Sequence, residues 1–385
     1  MKPLRNPLCV FLTTAFLSAT AIAQKVEVDI SVCYEIADVL TAMKNGSLKE
    51  DVSAMLDSVF LTRAYKTMFK HYNRPFRPNH LPESVFKRMI LNLQFPGSYT
   101  AGENQRADQM SEIWTTFYRD LDLYQRNLQQ LRYLDLTVLI NEGVRYAQNW
   151  LPRGWSIPDF YFLILPNGGS DAFTIDGAQG YDFFQLPRDS SGNINGAELV
   201  GTIAHESHHL GMKGSFPASM TKSDSFAYQF LTLFVAEGAA TKFVDNAPGG
   251  HVPVVNGARE HEFTEPVGHL WRTYTADAAG IFDRMVTTFE KAYSGAFTNA
   301  DINAEIRGYW LTGLKGRAYF VGSELLGAIY HAFGKEQLFA TMKDPRQMFD
   351  LYTKAIQNKP EQLGQCIAIP DSTVQHALAI GLPKR

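Results

Sequence analysis

Apolar residues recur every three or four positions through most of this chain, with one interruption where they crowd together. The period predicts a helix over residues 34–43, broken by Asn45-Gly46. Residues 50–70 predict one or two more helices. Residues 81–95 predict another, stopped by Pro96-Gly97. Residues 106–131 and 134–150 are two long periodic segments, and Pro152 and Gly154 end the second. Trp114, Phe117, Tyr118 and Tyr124 fall at helical spacing, which assigns them to a core.

The texture changes at Phe160. Phe160–Leu165 is an aromatic and branched run between Pro158 and Pro166-Asn167-Gly168-Gly169, the pattern of a strand and a turn. Ala172–Ile175 and residues 181–186 predict two more strands around Asp176-Gly177. Asp171 and Asp176 lack the regular spacing of a calcium loop and read as turn residues. Asn195 then offers an N-cap, with Glu198 three residues on. The helix it starts runs through Leu199, Val200 and Ile203 to Leu210, and Gly211 ends it. A further helix is expected over 223–244, broken by residues 245–250. Residues 251–268 read as loop, and 269–380 again as mainly helix. The fold class is therefore α+β and predominantly α-helical, with a small sheet just before the Asn195-capped helix.

Composition adds little to this and excludes more. With 385 residues, 45% hydrophobic and 19% charged, the chain is ordinary globular protein. A formal charge of −3 carries no basic signature, so no nucleic-acid partner is expected. The first residues read as a secretory signal: Lys2 and Arg5, an apolar stretch over 8–21, and the small-residue cleavage site Ala21-Ile22-Ala23. That stretch is shorter than the ~20 residues needed to span a bilayer. Cys9 comes too early for a lipoprotein signal. Cleavage after Ala23 would leave Gln24 first, take the charge from −3 to −5, and leave no stable membrane insertion. The expected location is secreted or periplasmic. Cys33 and Cys366 then remain, and a disulfide between them and two separate thiols are both open.

The candidate chemistry lies inside the capped helix. His205-Glu206-Ser207-His208-His209 puts two imidazoles one turn apart on one face, where they can grip one metal ion. Glu206 sits about a hundred degrees round the helix, able to reach a water on that metal without ligating it. His208 is the rival second ligand, at a spacing of three. A catalytic zinc usually takes three protein ligands and a water. Glu237 is the candidate third ligand: its same-face neighbours Leu233, Phe234, Ala240 and Thr241 carry no charge, and a carboxylate there needs a cation. The alternative is a buried glutamate paired with an Arg or Lys from elsewhere. Gly238, Ala239 and Ala240 would let the Glu237 helix come close to the motif helix. His251, His261 and His269 show no metal spacing.

His205-Glu206-x-x-His209, followed by Glu237-Gly238, resembles the gluzincin class of zinc metallopeptidases, and within it bacterial zinc-dependent peptidases of unknown substrate. Thr202, three residues before His205, fits the extended signature. The resemblance covers about residues 198–245. It implies a zincin-like core whose edge strand lines the substrate cleft. It implies one Zn²⁺ per chain held by His205, His209 and Glu237, with Glu206 as catalytic base and a peptide or protein as substrate. Tyr319, in Tyr319-x-x-Gly322, resembles an element that supplies an oxyanion donor; His331 and Tyr309 are its rivals. The implied organisation is a leader at 1–23, an N-terminal helical region at 24–131, a catalytic core at 132–250 and a helical region at 251–385 that closes the cleft.

The chain also departs from the class. The metzincin third histidine is absent after Gly211. Thermolysin-like enzymes carry an aspartate four residues after the third ligand, where Thr241 stands here, so the partner of the histidines is unassigned. The Gly-x-Met-Glu-Asn motif of gluzincin aminopeptidases is missing, which tilts the expectation toward an endopeptidase. Two other readings stand beside it: a zincin-fold binding protein without turnover, and a zinc hydrolase of a non-peptide amide.

Overall fold

The computed structural model describes residues 25–74, 79–212, 220–245, 265–358 and 366–381. The leader expected at 1–23 lies outside them. The fold is α+β and predominantly helical, with one four-stranded sheet in the order β1-β2-β4-β3. β1 is Val26–Asp29, β2 Phe160–Leu165, β3 Ala172–Ile175 and β4 Ala178–Asp182. β1 and β4 run parallel to β2 on either side of it, and β3 lies antiparallel to β4 at the edge.

Every residue of β2 is buried, which explains its unbroken apolar run. Asp176 and Gly177 both take positive φ, at 43° and 73°, and turn β3 back on β4. The third strand sits earlier than residues 181–186 suggest. β4 ends at Asp182, whose side chain accepts from the Phe184 backbone N–H and starts a 3₁₀ turn over Phe183–Gln185. Phe183 and Phe184 are apolar because they enter the core, with ring centroids 4.7 Å from Tyr124 and 4.5 Å from Phe117. β1 is not signalled in the sequence. It is four residues long, and Val28 remains 40% exposed, so no apolar face marks it.

Seven helices lie between β1 and β2: α1 (Ser31–Lys44), α2 (Lys49–Phe60), α3 (Arg63–Tyr72), α4 (Glu83–Leu91), α5 (Gln105–Arg119), α6 (Leu121–Tyr133) and α7 (Leu136–Asn149). Segment 106–131 is thus two helices rather than one. Asp120 closes α5 through its own N–H to Thr116 and caps α6 by accepting from the Leu123 N–H.

After the sheet come α8 (Gly196–Gly211) and α9 (Lys222–Ala239), and α9 continues into a single π turn over Ala240–Val244. α10 (Glu265–Ala276) begins inside the segment expected to be loop; residues 251–264 lie outside the described part. The remaining helices are α11 (Ala278–Tyr293), α12 (Asn299–Glu305) with a π turn over Ile306–Trp310, α13 (Arg317–Phe333), α14 (Lys335–Lys343), α15 (Met348–Asn358) and α16 (Asp371–Ala379). No described helix is long and apolar enough to cross a membrane.

The buried apolar side chains form two cores. One holds the sheet and α1–α7; the other holds α9 and the helices after it. α8 lies between them, giving Leu199 and Ile203 to the first and Ala204 to the second. Two close approaches fix its surroundings. A Cβ on Gly143 of α7 would lie 2.6 Å from Ile203, so α7 packs directly on α8. A Cβ on Gly238 of α9 would lie 2.3 Å from the backbone of Gly322 of α13. Cys33 belongs to the first core, where its Sγ donates to the Ile164 carbonyl at 3.2 Å, and Cys366 packs against the second. No disulfide joins them.

Candidate metal centre

The motif helix starts as the sequence suggests. Asn195 Oδ1 accepts from the Glu198 N–H at 3.2 Å, satisfying one of the N–H groups left open at a helix start. Its middle is tied to the sheet: Gln179 Nε2 in β4 donates to Ser207 Oγ at 2.9 Å, with both side chains buried. Gly211, the last residue of the helix, packs tightly, since a Cβ there would lie 2.2 Å from Leu151. α8 is therefore held at its cap, its middle and its end, with the motif face turned toward α9.

That face carries His205 and His209, their ring centroids 4.7 Å apart. Glu237 reaches them from α9. Its Oε2 lies 3.5 Å from His205 Nε2 and 3.3 Å from His209 Nε2. One donor atom from each of the three residues falls within 4.8 Å of the others, and among the described residues no second His, Cys, Asp or Glu group does the same. Ligands about 2.1 Å from a tetrahedral zinc lie about 3.4 Å apart. The two measured separations, 3.5 and 3.3 Å, bracket that edge. Glu237 Oε2 is buried yet accepts no well-formed hydrogen bond. An orphaned carboxylate oxygen between two imidazoles fits a bound cation.

The charges agree with this. Burial alone would raise the Glu237 carboxyl, but His209 and His205 hold it well below the usual carboxylate range. Burial works against a charged His205, and the Asp245 carboxylate overrides it, lifting the imidazole to about 9. Asp245 is the partner that sequence reasoning missed. Its Oδ2 lies 2.9 Å from His205 Nδ1 and 3.1 Å from Lys315 Nζ. It stands eight residues after Glu237, where an unbroken helix would turn it off the site. The π turn over Ala240–Val244 is wider than an α turn. One α turn and one π turn together return Asp245 to the Glu237 face. A π turn leaves no mark in the apolar period, so only the Asp245 carboxylate itself could have served as a signal.

Glu206 stands outside the trio and is tied to the sheet. Thr174 Oγ1, on edge strand β3, donates to Glu206 Oε2. Arg74, just past α3, donates in turn to the Thr174 carbonyl. A cavity of about 500 Å³ opens here, lined by Lys70, Asn73, Arg74, Thr174, Ile175 and Asp176. Asp176 forms an ion pair with Lys70 at its rim.

Tyr319 is brought to the site. Its ring stacks on His205 at 6.1 Å and 27°, and Lys315 Nζ lies over the ring, 5.1 Å from its centroid. Burial, then the carboxylates of Glu237, Glu206 and Asp245, hold its phenol well above the ordinary value of 10. The Gly238–Gly322 contact accounts for this placement. Glu237 precedes one glycine, Tyr319 lies one turn before the other, and the two helices touch backbone to backbone between them.

The rivals lie elsewhere. Tyr309 is packed between Arg284 and Arg317, with cation–ring distances of 3.7 and 4.2 Å. His331 lies near the C-terminal end of α13. His208 turns inward, fully buried, with Nε2 3.2 Å from the Trp150 carbonyl, so it faces away from His205 and His209's partner Glu237. His269 is in α10, and His251 and His261 lie outside the described residues.

The arrangement presents three convergent donors, a carboxylate beside them that does not converge, and a phenol above. The model of the family described as "Putative zinc dependent peptidase" (DUF5700) matches residues 56–361, and the chain belongs to that family. No curated protein and no solved structure matches the chain.

Proposed function

We propose that this chain is a zinc metallopeptidase in which His205, His209 and Glu237 hold one Zn²⁺ and Glu206 handles the proton. The observation that carries the reading is the Glu237 Oε2 atom, buried and unsatisfied between two imidazole Nε2 atoms. Zinc held there supplies Lewis acidity toward a water molecule and toward a substrate carbonyl.

The chain's own residues do the rest. Thr174 occupies Glu206 Oε2, which leaves Oε1 to take a proton from the attacking water and return it to the leaving nitrogen. Asp245 fixes the His205 ring through Nδ1, keeps Nε2 turned to the metal position and raises its basicity. Tyr319 keeps its proton at neutral pH and so remains a donor for the oxyanion that forms on the substrate carbonyl.

Edge strand β3 has β4 on one side only, and an extended peptide can lie along its other side. A peptide lying there can continue past both ends of the strand, which favours endopeptidase over aminopeptidase action. Lys2, Arg5 and Ala21-Ile22-Ala23 support export to the periplasm or medium.

The test uses elemental analysis beside a peptide-hydrolysis screen. Wild type should hold one zinc per chain and cleave peptides. Glu206→Gln should keep the zinc and lose cleavage, and Glu237→Ala should lose the zinc. Cleavage retained by Glu206→Gln would overturn the mechanism, and zinc retained by Glu237→Ala would overturn the ligand set.

A further inference from the structure

Three arginines lie near enough to repel one another, and one of them, Arg74, faces Glu206. Arg74 follows α3, Arg106 is in the first turn of α5, and Arg307 is in the π turn after α12. Arg74 and Arg106 belong to the elements of the first core, Arg307 to those of the second, so the group spans the gap between them. Arg74 is fixed by its bond to the Thr174 carbonyl, on the residue that holds Glu206. Arg106 lies against the Tyr72 ring, 5.4 Å from its centroid.

The charge in this group is not balanced. Arg307 is held down by burial and then by the like charges of Arg74 and Arg106. The Nε atoms of Arg106 and Arg307 are buried without a hydrogen-bond acceptor. The acids facing Arg74 are Asp176, which is paired with Lys70, and Glu206, the proposed base. Among the described residues, no carboxylate forms an ion pair with Arg106 or Arg307. Partly buried guanidinium groups that repel one another and keep unsatisfied N–H donors are costly, and a planar anion between them removes both costs.

We propose that Arg74, Arg106 and Arg307 form a subsite that binds a substrate carboxylate next to the scissile bond. The proposal rests on the peptidase reading for its substrate class. A carboxylate on a peptide has two sources, an Asp or Glu side chain and the C-terminus. Arg307 would couple the subsite to the second core, so a seated carboxylate also bridges the two walls of the cleft.

Binding to zinc-loaded Glu206→Gln tests this without needing turnover. The probes are blocked hexapeptide pools that differ only in Glu against Gln, and a second pair that differs only in a free against an amidated C-terminus. Measured by calorimetry at low salt, the carboxylate-bearing member of one pair should bind at least tenfold more tightly. That pair identifies the source. Arg307→Gln and Arg106→Gln, made separately in the same background, should each erase most of the preference, while Arg307→Lys should keep part of it. Equal binding within both pairs would overturn the proposal, as would a preference that survives both glutamine variants. A zinc-bound wild type that binds the carboxylate pools but cleaves none of them would overturn the peptidase reading and leave the subsite standing.

Discussion

Asp245 Oδ2 lies 2.9 Å from His205 Nδ1, and the same oxygen takes Lys315 Nζ at 3.1 Å. The contact fixes which ring nitrogen of His205 faces Glu237. It also means that without metal His205 keeps a proton up to about 9, so a metal ion must displace it. Zinc binding at pH 8 should therefore release about one proton per chain. Calorimetry in two buffers of different ionisation enthalpy reads this directly. Asp245→Asn should lower the proton release, because His205 loses the charge that holds its proton. It should also weaken zinc binding by about 10- to 100-fold. Unchanged release and affinity would remove Asp245 from the site.

The Gly238–Gly322 crossing gives a stability prediction tied to the same centre. A Cβ on Gly322 would lie 2.2 Å from the Phe234 carbonyl oxygen, an atom of the α9 backbone that cannot rotate away. Gly322→Ala must push α13 off α9, at a cost of about 1–3 kcal/mol. Tyr319 would move with α13, so zinc-dependent turnover should fall as well as the melting temperature. Gly308→Ala is the control, since a Cβ there meets nothing within 4 Å. Equal melting temperatures for the two variants would mean that the crossing is not tight.

Much of this centre is legible in the chain because its parts obey local rules. The Asn195 cap, the spacing of His205 and His209 and the apolar surroundings of Glu237 each follow from a helix period. Tyr319 could be named because Tyr319-x-x-Gly322 resembles an element of similar peptidases, and the structure gives the glycine a reason: it is where the helices touch. What stayed hidden depends on departures from the period or on distant pairing. Asp245 reaches the site only because a π turn shifts the register of α9. Phe183 and Phe184 imitate a strand because a core-facing 3₁₀ turn is as apolar as a strand. β1 has too few residues to carry a pattern and is defined by its partner β2, more than a hundred residues away. Thr174 had no local mark at all, since its role comes from the hairpin at Asp176-Gly177 that lays β3 beside Glu206.

Thr174 gives a kinetic prediction. Its hydroxyl donates to Glu206 Oε2 and sets the direction of the other oxygen. Thr174→Val keeps the shape of the strand and removes the donor. kcat should fall by about tenfold, a fraction of what general base catalysis contributes, with KM and zinc content little changed. Thr174→Ser should restore most of the rate. A fall in zinc content instead would place Thr174 among the groups that shape the metal site.

His208 gives a pH dependence of opposite sign to that of His205. It is fully buried, and its Nε2 donates to the Trp150 carbonyl at 3.2 Å. Burial, with His209 and His205 nearby, pushes the imidazole down to about 3 from its ordinary 6.5. Between those values the unfolded chain binds a proton that the folded chain refuses. The folded state therefore keeps its full stability above pH 6.5 and loses it as the pH falls toward 3. The slope is about 1.4 kcal/mol per pH unit for one proton. His208→Gln keeps a donor for the Trp150 carbonyl and removes the titration. Urea midpoints between about pH 4 and 7 should fall less steeply for the variant than for wild type, by close to that one-proton slope. Parallel curves would mean that His208 takes up its proton in the folded protein, which its burial against Trp150 forbids.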